Sequence, residues 1–392
     1  MFYLWKKSGM KLSNPFVITN DYVSAKYFCD REFETKVLQD NITNGRNSVL
    51  ISPRRMGKSG LIGHLFAQAR IQDSYKLFYV DLYATSSLAE MVFLLGRTIT
   101  DSLKSDSRKG LEGFLAVVKS LRPGFKVDPV TGHFVFDLSL GEITRPKDSL
   151  DEIFAYLNDT GTPCIVAIDE FQQIAEYPEK NVVAQIRTHV QKCLNARFIF
   201  SGSKRRMMER LFNNPSEPFY MSCTSLFLEP IDREKYSSFA KGLFAEAGKA
   251  LADACFDEVY TRMEGHTWYV QRILNELFAR TDPGGTADAE AVPETIRYIV
   301  RLESRAYEEL FSGFSQTQKQ LLIAIACEGK ASGITSTAFV KKHALKSPST
   351  VQSAARVLYE NETITKSGNR YSVTNRFFSL WLEGRYGSER SL

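Results

Sequence analysis

The sequence predicts an α/β fold, a mainly parallel sheet with helices on both faces, followed by a helical segment and a winged helix-turn-helix. Three observations carry this expectation. Apolar strands alternate with helical stretches over the first two-thirds of the chain, the pattern of a parallel sheet. After Pro230 the strand signal stops. From Gln316 onward three helices precede a short β-hairpin, which is the order of a winged helix.

Strands are expected at 48–51, 76–82, 164–168, 197–201 and 224–228. The third, Cys-Ile-Val-Ala-Ile, is apolar throughout, as a strand buried on both faces requires. Between the second and third, Asp128-Pro129-Val130-Thr131-Gly132 reads as a turn and Val135-Phe136 as a returning strand. This hairpin insertion ends near Asp148-Ser149, a cap for a helix over 150–157. From Asp232 to about Arg305 the chain reads as helices, broken by the loop Asp282-Pro283-Gly284-Gly285. The last segment places helices at 319–327, 336–344 and after Ser347-Pro348-Ser349. Strands at 363–366 and 371–373 then flank a turn at Ser367-Gly368-Asn369. No repeat of fixed period is visible. The expected boundaries are an α/β core at 14–230, a helical lid at 231–305 and a winged helix at 306–392.

A length of 392 residues calls for two or three domains. With 43% hydrophobic and 24% charged residues, the composition excludes a disordered or collagenous chain. The longest uninterrupted apolar run, about 321–327, is far short of the ~18 residues that span a bilayer. Lys6 and Lys7 follow the apolar 1–5 segment instead of preceding it, which inverts a secretion signal. Six scattered cysteines with no Cys-x-x-Cys pair, and five histidines without ligand spacing, point to neither disulfides nor zinc. A soluble cytoplasmic protein with no membrane partner is expected. Charge is unevenly placed: residues 316–392 carry 11 Lys and Arg against 5 Asp and Glu, and the remainder carries 39 against 40.

The first strand runs into Ser52-Pro53-Arg54-Arg55-Met56-Gly57-Lys58-Ser59, and an amphipathic helix follows with Leu61, Ile62, Leu65 and Phe66. Apart from Ser52 in place of the first glycine, this is the strand–GxxxxGK[ST]–helix phosphate loop. Backbone N–H groups of such a loop wrap the β-phosphate, and Gly57 lets the backbone come close. Lys58 bridges β- and γ-oxygens, and the Ser59 hydroxyl takes one Mg²⁺ position. The phosphate-binding set is thus 52–59 with Gly60 behind it. Ser fits the first glycine's place where the local φ is negative. The plain alternative, a Gly-Lys-Ser turn that only starts a helix, is weakened by the flanking strand and helix.

The third strand ends in Asp169-Glu170. An Asp at that tip would hold Mg²⁺ through water. The adjacent Glu, expected on the other face of the pleat, would polarise a water for attack on the γ-phosphate. The fourth strand ends in Ser201-Gly202-Ser203, whose tip is expected between strands one and three, within reach of that water. Ser201 and Ser203 are both candidates there, beside the plain reading of a strand exit. The run Lys204-Arg205-Arg206, with Arg210 one turn on, is either a solvated helix start or the source of an arginine finger, Arg210 first among them.

Together these residues resemble the archaeal-type ATPase family of the AAA+/STAND branch of P-loop NTPases, related to replication-initiator and origin-recognition ATPases. Tyr27-Phe28-Cys29-Asp30-Arg31-Glu32 is similar to its F-x-G-R-E box, with Asp30 in place of the usual Gly; the resemblance puts Arg31 beside the nucleotide. Residues 53–59 are similar to its P-R-R-x-G-K-[ST] loop, 168–172 to its Walker B box and 200–203 to its sensor strand. Gly265-His266-Thr267-Trp268-Tyr269-Val270-Gln271 resembles the lid box G-H-P-x-Y-V-Q, which places His266 near the nucleotide. On physical grounds Trp268 and Tyr269 read as core and His266 as a cap. The resemblance implies ATP and Mg²⁺ as ligands and nearly the whole chain in one architecture.

Three functions fit: an ATPase switch that binds duplex DNA through its winged helix, a signalling or scaffold ATPase whose winged helix makes protein contacts, and a metabolic P-loop kinase. The acidic pair and the appended domains oppose the kinase. Basic charge after residue 316 favours DNA. Homo-oligomer and protein partners stay open.

Overall fold

The computed structural model describes residues 13–18, 24–106, 108–120, 125–127, 134–136, 143 and 145–387. Two compact units divide the chain, one of residues 17–236 and another of 14–16 with 237–392. Among the described residues no helix is long and apolar enough to cross a membrane.

The first unit contains β1 (Ser48–Ile51), β2 (Lys76–Asp81), β3 (Phe125–Val127), β4 (Phe134–Phe136), β5 (Cys164–Asp169), β6 (Ala196–Gly202) and β7 (Thr224–Phe227). Five of these form a parallel sheet in the order β2-β5-β6-β1-β7. Helix α1 (Glu32–Thr43) precedes β1, and α2 (Lys58–Phe66), α3 (Ala69–Ser74), α4 (Leu88–Asp106), α5 (Arg108–Val117), α6 (Pro146–Asp159), α7 (Val182–Lys192) and α8 (Arg205–Asn213) lie between the strands. Side chains alternate across a strand, and both faces are covered. Val49, Ile51, Val166, Ile168, Phe198 and Phe200 enter one core with α4–α8. Leu50, Ile165, Ala167 and Ile199 enter the other with α1–α3. This is why β5 reads as apolar at every position.

All five strands of the sheet fall where the sequence places them, within a residue or two. The hairpin insertion is present as the antiparallel pair β3–β4. The turn expected at 128–132 lies outside the described residues, as does the 1–5 segment. Helix α6 starts earlier than expected: Pro146 is its first residue and Arg145 precedes it, so Asp148 and Ser149 lie inside the helix. Proline at the first position suits a helix start, since its missing N–H would go unbonded there.

The second unit begins with residues 14–16, where Phe16 is buried against Phe244 and Phe278. It continues with α9 (Arg233–Glu246), whose first four residues belong to the first unit, and with α10 (Asp253–Arg262), α11 (Thr267–Arg280), α12 (Ala291–Leu302) and α13 (Ser304–Ser312). Strand signal does not cease entirely after Pro230: β8 (Ala250–Leu251) and β9 (Thr286–Ala287) form a short parallel pair. The winged helix follows as α14 (Gln316–Glu328), β10 (Ala331–Ser332), α15 (Thr337–Lys342), α16 (Pro348–Glu360), β11 (Ile364–Ser367) and β12 (Arg370–Val373). Ser315, Ser336 and Ser347 cap its three helices through their hydroxyls. The hairpin gains β10 as a third strand. A last helix, α17 (Arg376–Tyr386), not expected from the sequence, buries Phe377, Phe378, Trp381 and Leu382.

Candidate functional site

The phosphate loop connects β1 to α2. Arg55 (φ 68°) and Gly57 (φ 92°) are both left-handed. Alternation of such residues with ordinary ones curls successive N–H groups toward one point, an anion-binding concavity at a helix N-terminus. Gly57 is required by its dihedral, since a Cβ there would meet nothing within 4 Å. Ser52 is not among the positive-φ residues, so it occupies the first glycine's place without strain. The Lys58 ammonium is buried and donates to the carbonyls of Ser52 and Pro53, each at 3.1 Å.

The sheet order brings the other parts to this loop. Strand β6 lies between β1 and β5, as its expected position at the tip requires. Asp169 is buried and accepts four hydrogen bonds. Ser59 Oγ (2.8 Å) and Tyr79 OH (2.6 Å) donate to Oδ2; Ser201 Oγ (2.6 Å) and the Glu170 N–H (2.9 Å) donate to Oδ1. Burial, reinforced by the Asp169 charge, pushes the Tyr79 phenol far up, so it stays a neutral donor.

Glu170 leaves the strand in a left-handed turn (φ 51°, ψ 39°) that opens the 3₁₀ segment Phe171–Glu176. The turn, in place of the expected pleat alternation, separates the two carboxylates. Glu170 Oε2 accepts from Ser203 Oγ (2.7 Å) and from Gln172 Nε2. Arg54 Nε donates in turn to Ser203 Oγ at 3.3 Å, which links the phosphate loop to Glu170.

Arg31 is buried and bonds Glu34 and the Glu229 carbonyl, both at 2.7 Å, and the Met56 carbonyl at 3.5 Å. Asp30 and Arg31 both have positive φ (58° and 75°). Asp tolerates that region better than most residues, and Lys235 holds its carboxylate at 2.7 Å. Phe28 stacks on His64 at 4.2 Å, beside Gly60. Arg210 is exposed and ion-paired with Glu217 at 3.3 Å. His266 belongs to the second unit, where it stands at the N-cap position of α11 and its side chain makes no capping bond. Burial, aided by the Arg376 charge, lowers its proton affinity. Tyr269 and Trp268 pack on Phe377; Tyr269 is a buried core residue of that unit, and Trp268 is half-buried.

Tyr79 is not expected at the site from the sequence, because it reaches Asp169 from another strand. Gln172 is expected there only as the end of the Walker B box, and its bond to Glu170 depends on the turn that follows β5.

A family model described as an ATPase domain predominantly from Archaea matches residues 28–273. The chain belongs to this ATPase family. A second model, a "probable winged helix domain", matches residues 305–384. Among solved structures, a Walker-type ATPase of Pyrococcus abyssi has a TM-score of 0.64 at 18% identity, covering 94% of this chain and 99% of that one. The ORC1 protein of Aeropyrum pernix in complex with DNA gives 0.51 at 15%, covering 97% and 98%. The ORC2 protein of the same organism gives 0.56 at 11%, covering 97% and 99%. No curated protein matches the sequence. At these identities the solved structures speak for the fold. The ATPase family with its P-loop sheet and C-terminal winged helix agrees with the resemblance read from the motifs, and nucleotide binding by the loop follows from it.

Proposed function

We propose that this ATPase hydrolyses ATP with Mg²⁺ as a nucleotide-driven switch, and that its winged helix binds duplex DNA. The observation that carries the hydrolytic reading is the division of the acidic pair. Asp169 is fastened to Ser59 of the phosphate loop, and Glu170 is fastened to Ser203. The Ser59 hydroxyl and Asp169 carboxylate are hard oxygen donors of the kind Mg²⁺ takes. Mg²⁺ is usually held by one or two protein groups plus substrate phosphates. Mg²⁺ bound there would neutralise charge on the β- and γ-oxygens.

The chain's own residues then divide the work. The loop N–H groups and Lys58 bind and orient the phosphates. Asp169 and Ser201 keep Ser59 in place. Glu170 accepts the proton of the attacking water at its carboxylate. Ser203 and Gln172 determine where that carboxylate stands.

The DNA reading rests on the face that α16 leaves to solvent. Val351, Ala355 and Leu358 are buried, and Gln352, Ser353 and Arg356 are exposed, as in a recognition helix. Lys341 and Lys346 before it, and Lys366 and Arg370 on the wing, are also exposed. Lys342 is ion-paired with Glu328 at 2.5 Å. The DNA in the ORC1 complex adds support from a protein of similar fold. With one long donor on α16, affinity should come mostly from phosphates. Binding of a duplex measured over a salt series should give log K falling by about 0.9 per phosphate neutralised. Absence of salt-sensitive binding at low ionic strength, with or without ATP, would assign the winged helix to protein contacts.

A further inference from the structure

One donor to Asp169 comes from outside the loop and from outside the strand tips. Tyr79 lies on β2, whose parallel register with β5 sets Tyr79 opposite Ala167 and Asp81 opposite Asp169. Its ring packs against the core on the α1–α3 face, and its length carries the hydroxyl along the strands to Asp169 Oδ2. Ser59 shares that oxygen, and Ser201 and the Glu170 N–H fill the other. A carboxylate offers about four lone-pair sites, so these donors fix its plane as well as its position. At 4% exposure Asp169 depends on such donors for the solvation of its charge.

We propose that Tyr79 is a positioning residue for Mg²⁺-dependent nucleotide binding: its hydroxyl orients the Asp169 carboxylate toward Ser59. The inference rests on the reading of Ser59 and Asp169 as the Mg²⁺ side of the site. Partners that orient a metal-side carboxylate typically matter by about 10- to 100-fold in metal affinity. Tyr79→Phe removes one oxygen and keeps the ring in its packing.

The test is the affinity for a fluorescent ADP, measured in EDTA and across a Mg²⁺ titration, for wild type and Tyr79→Phe. The expected result is affinity in EDTA within about twofold of wild type, and a Mg²⁺ midpoint raised about tenfold or more. Equal loss in EDTA would make the residue merely structural and overturn the proposal. A wild-type response to Mg²⁺ with an unshifted midpoint in the variant would overturn this inference alone. A wild type indifferent to Mg²⁺ would overturn the Mg²⁺ reading and the role of Tyr79 with it.

Discussion

Ser59 Oγ donates to Asp169 Oδ2 at 2.8 Å across 110 residues of sequence. The hydrogen bond joins the phosphate loop to the acidic strand tip, and every other donor to Asp169 supports it. Asp169→Asn should therefore harm the site in two ways. The amide removes the charge, and its N–H₂ takes the place of one of two oxygens that each accept two hydrogen bonds, so the donors there lose their acceptor. Leaving a buried polar group unpaired costs about 1–3 kcal/mol. Thermal melting should show that loss, and Mg²⁺ should no longer tighten nucleotide binding.

Glu170→Gln keeps the shape of the side chain and removes its basicity. ATP should still bind, and turnover should fall by ~10²-fold or more. Lys58→Ala should lose nucleotide binding as well, read by equilibrium titration. Parental turnover in Glu170→Gln would refute the assignment of the base.

Gly202 admits Gln172 to its place beside Glu170. A Cβ there would collide with Gln172 Oε1 and stand 2.6 Å from Met208 Sδ. Gly202→Ala should cost about 1–3 kcal/mol by overpacking, with a fall in kcat as Gln172 is displaced. Chemical denaturation and steady-state kinetics on the same preparation check both effects.

The sheet is legible in the sequence because burial on both faces leaves strands such as β5 apolar throughout, and the phosphate loop because its residue types are tied to their spacing. Contacts that close only in space are not. Tyr79 reaches Asp169 across 90 residues. The handedness at Glu170 is a property of one turn, with no composition to mark it. Helix α17 follows the wing, where the motif order has already ended. The family box itself is uneven: Asp30 for Gly makes sense only once its left-handed φ is seen.

Glu264 accepts from Arg376 Nη2 at 2.6 Å and from Lys330 at 3.0 Å within the second unit. Burial alone would raise its pKa, yet the hydrogen bonds and charges of Arg376 and Lys330 bring it below the ordinary 4.5. A lowered folded-state value means stability that is present above pH 4.5 and lost as pH falls through the folded value. Wild type should melt above Glu264→Gln near neutrality. That gap should close in melts taken progressively below pH 4.5.

Lys366→Glu with Arg370→Glu reverses two exposed charges on the wing. Duplex affinity should drop for all sequences alike, and the salt slope should flatten by about 0.9 for each phosphate no longer neutralised. Fluorescence anisotropy with two unrelated duplexes reads both effects.

The switch itself is tested most directly by steady-state ATP turnover with Mg²⁺, measured with and without duplex DNA at low ionic strength. The account predicts turnover that rises when duplex is added, and no such rise in the Lys366→Glu/Arg370→Glu variant. Turnover indifferent to duplex in the wild-type protein would contradict it.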